Sequence, residues 1–248
     1  TVIATDKTGT LTKNEMRVTK LWLEGINYSS HDKNLQLSHS SFSKLLTTGV
    51  ICNNASLVYK HDHGKYDILG DTTEGALLLL AQDRGLVTEQ VKQNGTLLEE
   101  FAFDPTLKMM TVVWESHKQK TIYTKGAPES ILKSCTLDEQ SRQSIESEFR
   151  EYAKEGLRVI ALAYKNVDRT PKTRHEAERD LTFIGFVGIA DPPREEVKDA
   201  IRVAELAGIR TIMITGDNEL TANAIGTKIG LIKQNEEIIT GSQFAKLS

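Results

Sequence analysis

Two short apolar runs at opposite ends of the chain constrain the fold more than any other feature. Val2-Ile3-Ala4 is too brief for a helix and delivers Asp6 to a glycine-bearing turn at 7–9. Residues 209–214 form a second run, rich in β-branched side chains, that ends in Thr215-Gly216-Asp217-Asn218. Helical patterns flank this second run. Pro192-Pro193 introduces a helix whose first turn is Arg194, Glu195 and Glu196 and whose apolar stripe is Val197, Ala200, Ile201, Ala204 and Ala207, with Gly208 as the stop. After the turn, Ala222, Ile225 and Ile229 mark another amphipathic stretch, closed by Gly230. Helix, strand and helix joined by short glycine-bearing links predict a doubly wound parallel α/β domain, which binds ligands beyond the carboxyl ends of its strands. Asp6 and Asp217 are both expected at that edge.

Between these pieces the texture changes. Segments 21–23, 66–69, 97–103, 111–114, 121–123, 158–164 and 183–189 read as short strands, several separated only by turns. Close spacing predicts an antiparallel sheet, with helices over 42–53, 73–84 and 138–154 packed against it. The last of these has an apolar stripe of Ile145, Phe149, Tyr152 and Ala153 and a terminator in Gly156. The polar stretch 167–180 reads as a loop or a short exposed helix. The expected organisation is a first segment of the parallel domain at 1–19, an inserted α+β domain at 20–188, and a second, incomplete segment of the parallel domain at 189–248.

Composition excludes several functions. The 248 residues are 39% hydrophobic, enough for a core, and 31 basic against 34 acidic residues leave a net charge of −3. No broad basic field exists to draw nucleic acid or an anionic bilayer. The longest purely aliphatic stretch, 76–81, falls far short of the roughly 20 residues that cross a bilayer. Cys52 and Cys135 lack a CxxC or metal-type neighbour, which predicts free packing residues in a reducing compartment. His61 and His63 flank Asp62 beside Gly64 among polar neighbours and read as a solvated hairpin tip rather than a metal clip. The chain opens at Thr1 without a methionine and closes at Ser248 just after a strand-like segment, so it is expected to be part of something longer.

The first turn carries the sharpest chemistry, the run Asp6-Lys7-Thr8-Gly9-Thr10-Leu11-Thr12. A carboxylate attacks a terminal phosphorus only when its repulsion from the other phosphates is neutralised by a metal ion, cations or hydrogen-bond donors. Lys7, Thr8 and Thr10 supply such groups, and Gly9 lets the main chain approach closely.

These seven residues resemble the phosphorylation signature of the P-type cation-transporting ATPases, within the broader haloacid dehalogenase superfamily. Thr8 stands where that superfamily's phosphatases carry a second aspartate, so the resemblance favours a long-lived phosphoenzyme over the alternative of a soluble phosphatase. The likeness runs along nearly the whole chain. Thr215-Gly216-Asp217 is similar to the segment that contacts the transferred phosphate and aligns the nucleotide. Lys125-Gly126-Ala127-Pro128-Glu129 resembles the hallmark of the inserted nucleotide-binding domain, with Lys125 lining the adenine pocket and Gly126 letting the ring come close. Gly70-Asp71-Thr72-Thr73-Glu74 and Phe101-Ala102-Phe103-Asp104 resemble two further segments, which implies Glu74 near the adenine amino group and Phe103 against its face. Lys108 and Arg158 are then expected at the ATP phosphates. Asp191-Pro192-Pro193-Arg194 resembles the hinge where the chain leaves the inserted domain, and it adds Asp191 and Arg194 to the nucleotide-binding set. The implied cofactors are ATP and Mg²⁺, with Asp6 and Thr8 as the magnesium-binding positions within this sequence.

A later Gly-Asp-Gly segment and a phosphate-contacting lysine that the family carries have no counterpart before Ser248. The resemblance therefore implies the cytosolic catalytic portion of an ATP-driven cation pump, facing the cytosol of a membrane and itself soluble. By itself such a fragment is expected to act as a nucleotide-binding module with little or no turnover. Its expected partners are the remainder of the same polypeptide and a transported cation held by membrane helices outside this sequence. The calcium-type branch is the most similar, and heavy-metal pumps, with a smaller nucleotide domain and a different histidine motif, are disfavoured.

Overall fold

The computed structural model describes residues 1–61, 64–216, 219–233 and 238–246. The chain folds as two compact units: unit 1 comprises Thr1–Glu15, Glu151–Leu157 and Ala190–Ser248, and unit 2 comprises Met16–Arg150 and Arg158–Ile189.

Unit 1 contains strand β1 (Val2–Asp6), paired in parallel with β11 (Arg210–Ile214) in a register that sets Asp6 opposite Ile214. The two apolar runs thus lie side by side and end together. Helices α7 (Val197–Leu206) and α8 (Glu219–Lys228) flank β11 in sequence, and Gly208 and Gly230 follow them at φ +71° and +77°, where a side chain would be strained. Leu11, Val197, Ile201, Ile225 and Ile229 form the unit's buried cluster, with Met213 and Leu231 packed against it. Helix α7 starts later than its sequence pattern suggests. Glu196 is the residue before the helix, and Asp199 is the acid in its first turn. The cause is extended pairing: Lys13 N–H donates to the Pro192 carbonyl at 2.9 Å and Arg194 N–H to the Leu11 carbonyl at 3.0 Å, so 192–194 lie as strand-like backbone beside the loop after Asp6.

Unit 2 is built on an antiparallel sheet of β2 (Arg17–Leu23), β3 (Ile26–Ser29), β6 (Thr96–Asp104), β7 (Met109–Ser116), β8 (Gln119–Gly126), β9 (Arg158–Val167) and β10 (Thr182–Ala190). Their spatial order is β3-β2-β10-β9-β8-β7-β6. A separate hairpin pairs β4 (Ser56–Lys60) with β5 (Lys65–Leu69). All seven strand segments anticipated in this region occur. Strands β3 and β4 were not among them, although Leu57-Val58-Tyr59 of β4 is as apolar a run as its partner β5. Helices α1 (Ser40–Ile51) and α2 (Thr72–Asp83) cover one face: Phe42, Leu45, Leu46, Val50, Leu77, Leu78 and Leu80 join Leu21, Leu23, Leu162, Val187 and Ile189 in one cluster. Eight residues of α2 are buried, among them Leu77 to Leu80 in a row, since the helix has neighbours on several sides. Short helices α3 (Thr88–Gln93) and α4 (Pro128–Ser134), long α5 (Glu139–Lys154) and α6 (Arg174–Ala177) complete the unit's elements, with α5 running across the division at Glu151. The stretch 167–180 therefore contains a single helical turn, α6.

Candidate functional site

In unit 1 the chain leaves β1 at Asp6 and turns through Lys7–Leu11, with Gly9 at φ +76°, a conformation in which glycine alone is free of strain. Lys7, Leu11 and Thr12 are buried while Asp6 and Thr8 are exposed, so the loop is anchored on one side and offers its carboxylate to solvent on the other. Thr12 is the anchor. Its hydroxyl donates to the Lys7 carbonyl at 3.2 Å and lies 2.5 Å from Asp191 Oδ2, and it accepts from Gly9 N–H at 3.3 Å. Asp191 Oδ1 also accepts from Glu15 N–H at 3.0 Å, and Arg194 Nη2 donates to the Gly9 carbonyl at 3.0 Å. Asp191 and Arg194 thus hold the Asp6 loop in its turn. Thr215 and Gly216 follow β11 directly, on the strand that pairs with β1. Asp217 lies outside the described residues, as do Asp62 and His63 of the hairpin tip.

In unit 2 the expected residues assemble in linked pairs. Lys125, near the end of β8, is 6% exposed, and its Nζ meets Glu74 Oε1 at 2.6 Å. The other Glu74 oxygen accepts from the backbone N–H groups of Asn54 at 2.8 Å and Ala55 at 3.1 Å. Glu74 owes its place to Asp71, which caps α2 by accepting from Glu74 N–H at 2.9 Å. Next to Glu74, Thr73 Oγ1 accepts from Arg158 Nη1 at 2.6 Å. Gly126 is opposite Met109 on one side and Ala161 on the other. A Cβ there would lie 2.7 Å from Met109 Cβ and 2.8 Å from its Cα, so the close approach of β8 to β7 requires glycine. Ala127 N–H then donates to the Lys108 carbonyl at 2.9 Å, which ties the hallmark segment to the turn carrying Lys108. Lys108 sits at φ +55° with its ammonium 3.3 Å from Glu129, and Phe103 in the same hairpin is 58% exposed.

Burial raises the pKa of Cys52 and of Glu178 beside these residues. Burial pushes the Cys52 thiol up to about 12 against the pull of the Lys125 ammonium, and this neutral thiol donates to the Met110 carbonyl at 3.4 Å. Glu178 is buried, and burial raises its carboxyl above the ordinary 4.5 although Thr111 and Arg174 oppose the shift. Thr111 Oγ1 donates to Glu178 at 2.8 Å and is 3.0 Å from Thr124 Oγ1, beside Lys125. Thr12 belonged to the loop motif, but its bond to Asp191, and the bonds of the Arg174–Glu178 pair to Thr111, Ala102 and Met109, were not legible, because those partners lie far away in sequence.

A family model described as P-type ATPase, cytoplasmic domain N, matches residues 41–196. A calcium-transporting ATPase of Bacillus subtilis is 36% identical over 274 residues, covering 100% of this chain and 30% of the relative. The sodium/potassium exporting P-type ATPase cta3 of Schizosaccharomyces pombe is 34% identical, covering 100% of this chain and 29% of the relative. The endoplasmic reticulum-type calcium-transporting ATPase 3 of Arabidopsis thaliana is 35% identical, with 100% and 31% covered. The chain thus spans about 30% of the length of these relatives. With a family match over residues 41–196 and relatives aligned along the whole of this chain, the chain belongs to the P-type ATPase family and carries that family's cytoplasmic domain N.

Proposed function

We propose that unit 2 binds ATP and that, in the intact protein, the γ-phosphoryl group passes to Asp6 to drive cation transport. The observation that carries this reading is the pairing of Lys125 with Glu74 at 2.6 Å, next to Gly126, where β7 approaches too closely for any side chain. An adenine ring needs an apolar or aromatic face, a few polar edge contacts and a cationic route for its phosphates. Phe103 offers the face, Glu74 and Lys125 the edge, and Lys108 and Arg158 the cations. Residues 20–188 are read as the nucleotide-binding domain, and 1–19 with 189–248 as segments of a haloacid dehalogenase-like phosphorylation domain. The parallel pairing of β1 with β11, both ending at the Asp6 and Thr215 turns, supports the second assignment.

In the transfer, an Asp6 carboxylate oxygen attacks the γ-phosphorus, the bond to the β,γ-bridging oxygen breaks, and ADP leaves with that electron pair. Asp191, Thr12 and Arg194 keep the loop in its turn, and Thr215 and Gly216 are read as donors to the phosphate. Asp217, read as the residue that aligns the nucleotide, completes the set. Mg²⁺ usually keeps several waters and takes one or two carboxylates together with phosphate oxygens. The exposed Asp6 with the neighbouring Thr8 fits that modest demand. When bound, the ion would neutralise the phosphates facing the nucleophile. Asp191 and Arg194, which are nucleotide contacts by resemblance, are better supported as supports of the Asp6 loop through the bonds they make. The transported cation, calcium as in the names of two of the three relatives above, would be bound by membrane helices outside this sequence. The part described would face the cytosol.

Isothermal titration of the 248-residue chain with ATP tests the pocket. Saturable binding is expected, weakened about tenfold or more in Lys125→Ala, which corresponds to about 1.4 kcal/mol or more. Equal heats for both proteins, or none for the unaltered chain, would overturn it.

A further inference from the structure

The β6–β7 hairpin, which carries Phe103 and Lys108, is irregular where it matters. Phe101 pairs with Thr111 and Asp104 with Met109, so three steps along β6 match two along β7, and the extra residue falls at Ala102-Phe103. A bulge of this kind takes backbone groups out of the ladder and re-aims a side chain. Here the re-aimed side chain is a phenylalanine left 58% exposed. One residue from outside the hairpin spans the defect. Arg174 Nη2 donates to the Ala102 carbonyl within the bulge, and Nη1 lies 3.4 Å from the Met109 carbonyl on the facing strand. Its guanidinium carbon lies 5.8 Å from the Phe101 ring centre.

The clamp is itself clamped. Glu178, one helical turn on, receives Arg174 Nη1 at 2.7 Å, and its side chain is only 6% exposed. The same carboxylate oxygen accepts from Thr111, which is bonded across to Thr124 on β8. A planar guanidinium can serve two carbonyls and a carboxylate at once, which a lysine ammonium on a flexible stem does far less well.

We propose that Arg174, oriented by Glu178, is a positioning residue for nucleotide binding: it fixes the bulge that presents Phe103 to the base. The inference rests on the reading of unit 2 as an ATP site. Because it acts on the base platform and not on phosphate contacts, it makes a distinctive demand on ligand dependence. Losing the clamp must weaken adenosine and ATP by the same factor.

The experiment is calorimetric titration of the whole chain with ATP and, separately, with adenosine. The main variant is the double substitution Arg174→Met with Glu178→Met, which removes both charges and avoids stranding a buried carboxylate. About a five- to tenfold loss of affinity is expected for both ligands, the scale of one misplaced aromatic contact. The Phe103 amide resonance should also shift in the ligand-free protein. Arg174→Lys, which keeps the charge but cannot hold both carbonyls, is expected to lose about threefold for both ligands and decides the matter if the double variant does not fold. Unchanged affinity for adenosine, or a loss confined to ATP, would overturn the positioning role while leaving the ATP site intact. Failure of the unaltered chain to bind either ligand would overturn the site and, with it, this inference.

Discussion

Asp104 shows how one side chain shapes the candidate site without touching a ligand. Its Oδ1 accepts from Thr106 N–H at 2.8 Å and Leu107 N–H at 3.1 Å, closing the turn that leads into Lys108. The Leu107 bond, then the Thr106 bond, favour the charged form and hold its carboxyl below the ordinary 3.8, with the Arg174 charge adding to the effect. The native state therefore binds the proton less tightly than the unfolded chain. The turn's contribution is complete above the ordinary value and is lost as pH falls through the lower folded value. The expected outcome is a carboxyl ¹³C titration of Asp104 with its midpoint below 3.8, and a shallower acid limb of urea stability in Asp104→Asn. Such roles were half legible. Phe101-Ala102-Phe103-Asp104 stood out as a motif, but the donors that Asp104 serves emerge only when the turn is formed.

The elements of unit 2 meet at glycines as much as at leucines. Gly126 ends β8 between Met109 and Ala161, and an added Cβ would press on the Met109 backbone, which has no rotamer with which to yield. Gly126→Ala is expected to cost about 1–3 kcal/mol in urea unfolding, the usual penalty of overpacking, and to weaken ATP binding by shifting the Lys108 turn. Unchanged stability together with unchanged affinity would show that β7 and β8 separate more easily than their pairing suggests. The glycine was visible in the hallmark segment, whereas its reason, the approach of a second strand, was not. The same division applies to α7. Its apolar stripe was readable, yet its start moved to Val197 because 192–194 pair with the chain after Asp6, a partner nearly the whole sequence away.

At the scale of the molecule each unit has its own apolar cluster. Unit 2 holds more than one, and in the cluster beneath α1 and α2 Leu45, 1% exposed, lies among residues of α2 and the sheet. Leu45→Ala should destabilise unit 2 by about 2–5 kcal/mol, the range for a leucine deleted from a tight core. Hydrogen exchange of the β9 and β10 amides measures this directly: protection should fall across both strands together, and a change confined to α1 would mean that the cluster is not one cooperative core.

The sequence by itself determined most of the strands, the longer helices, the parallel pair at the chain's ends, the antiparallel texture between them and the residues of the Asp6 loop and the hallmark segment. These follow from periodicity, turn chemistry and short motifs, all properties of neighbouring residues. Tertiary structure alone decided that Thr12 and Asp191 brace the Asp6 loop, that Lys125 meets Glu74, and that Arg174 bridges the bulge beside Phe103. Those contacts join residues separated by 51 to 179 positions, and no local pattern encodes a partner so distant. The pairing of charge, hydrogen bond and shape that selects it exists only once the sheet has brought the strands together.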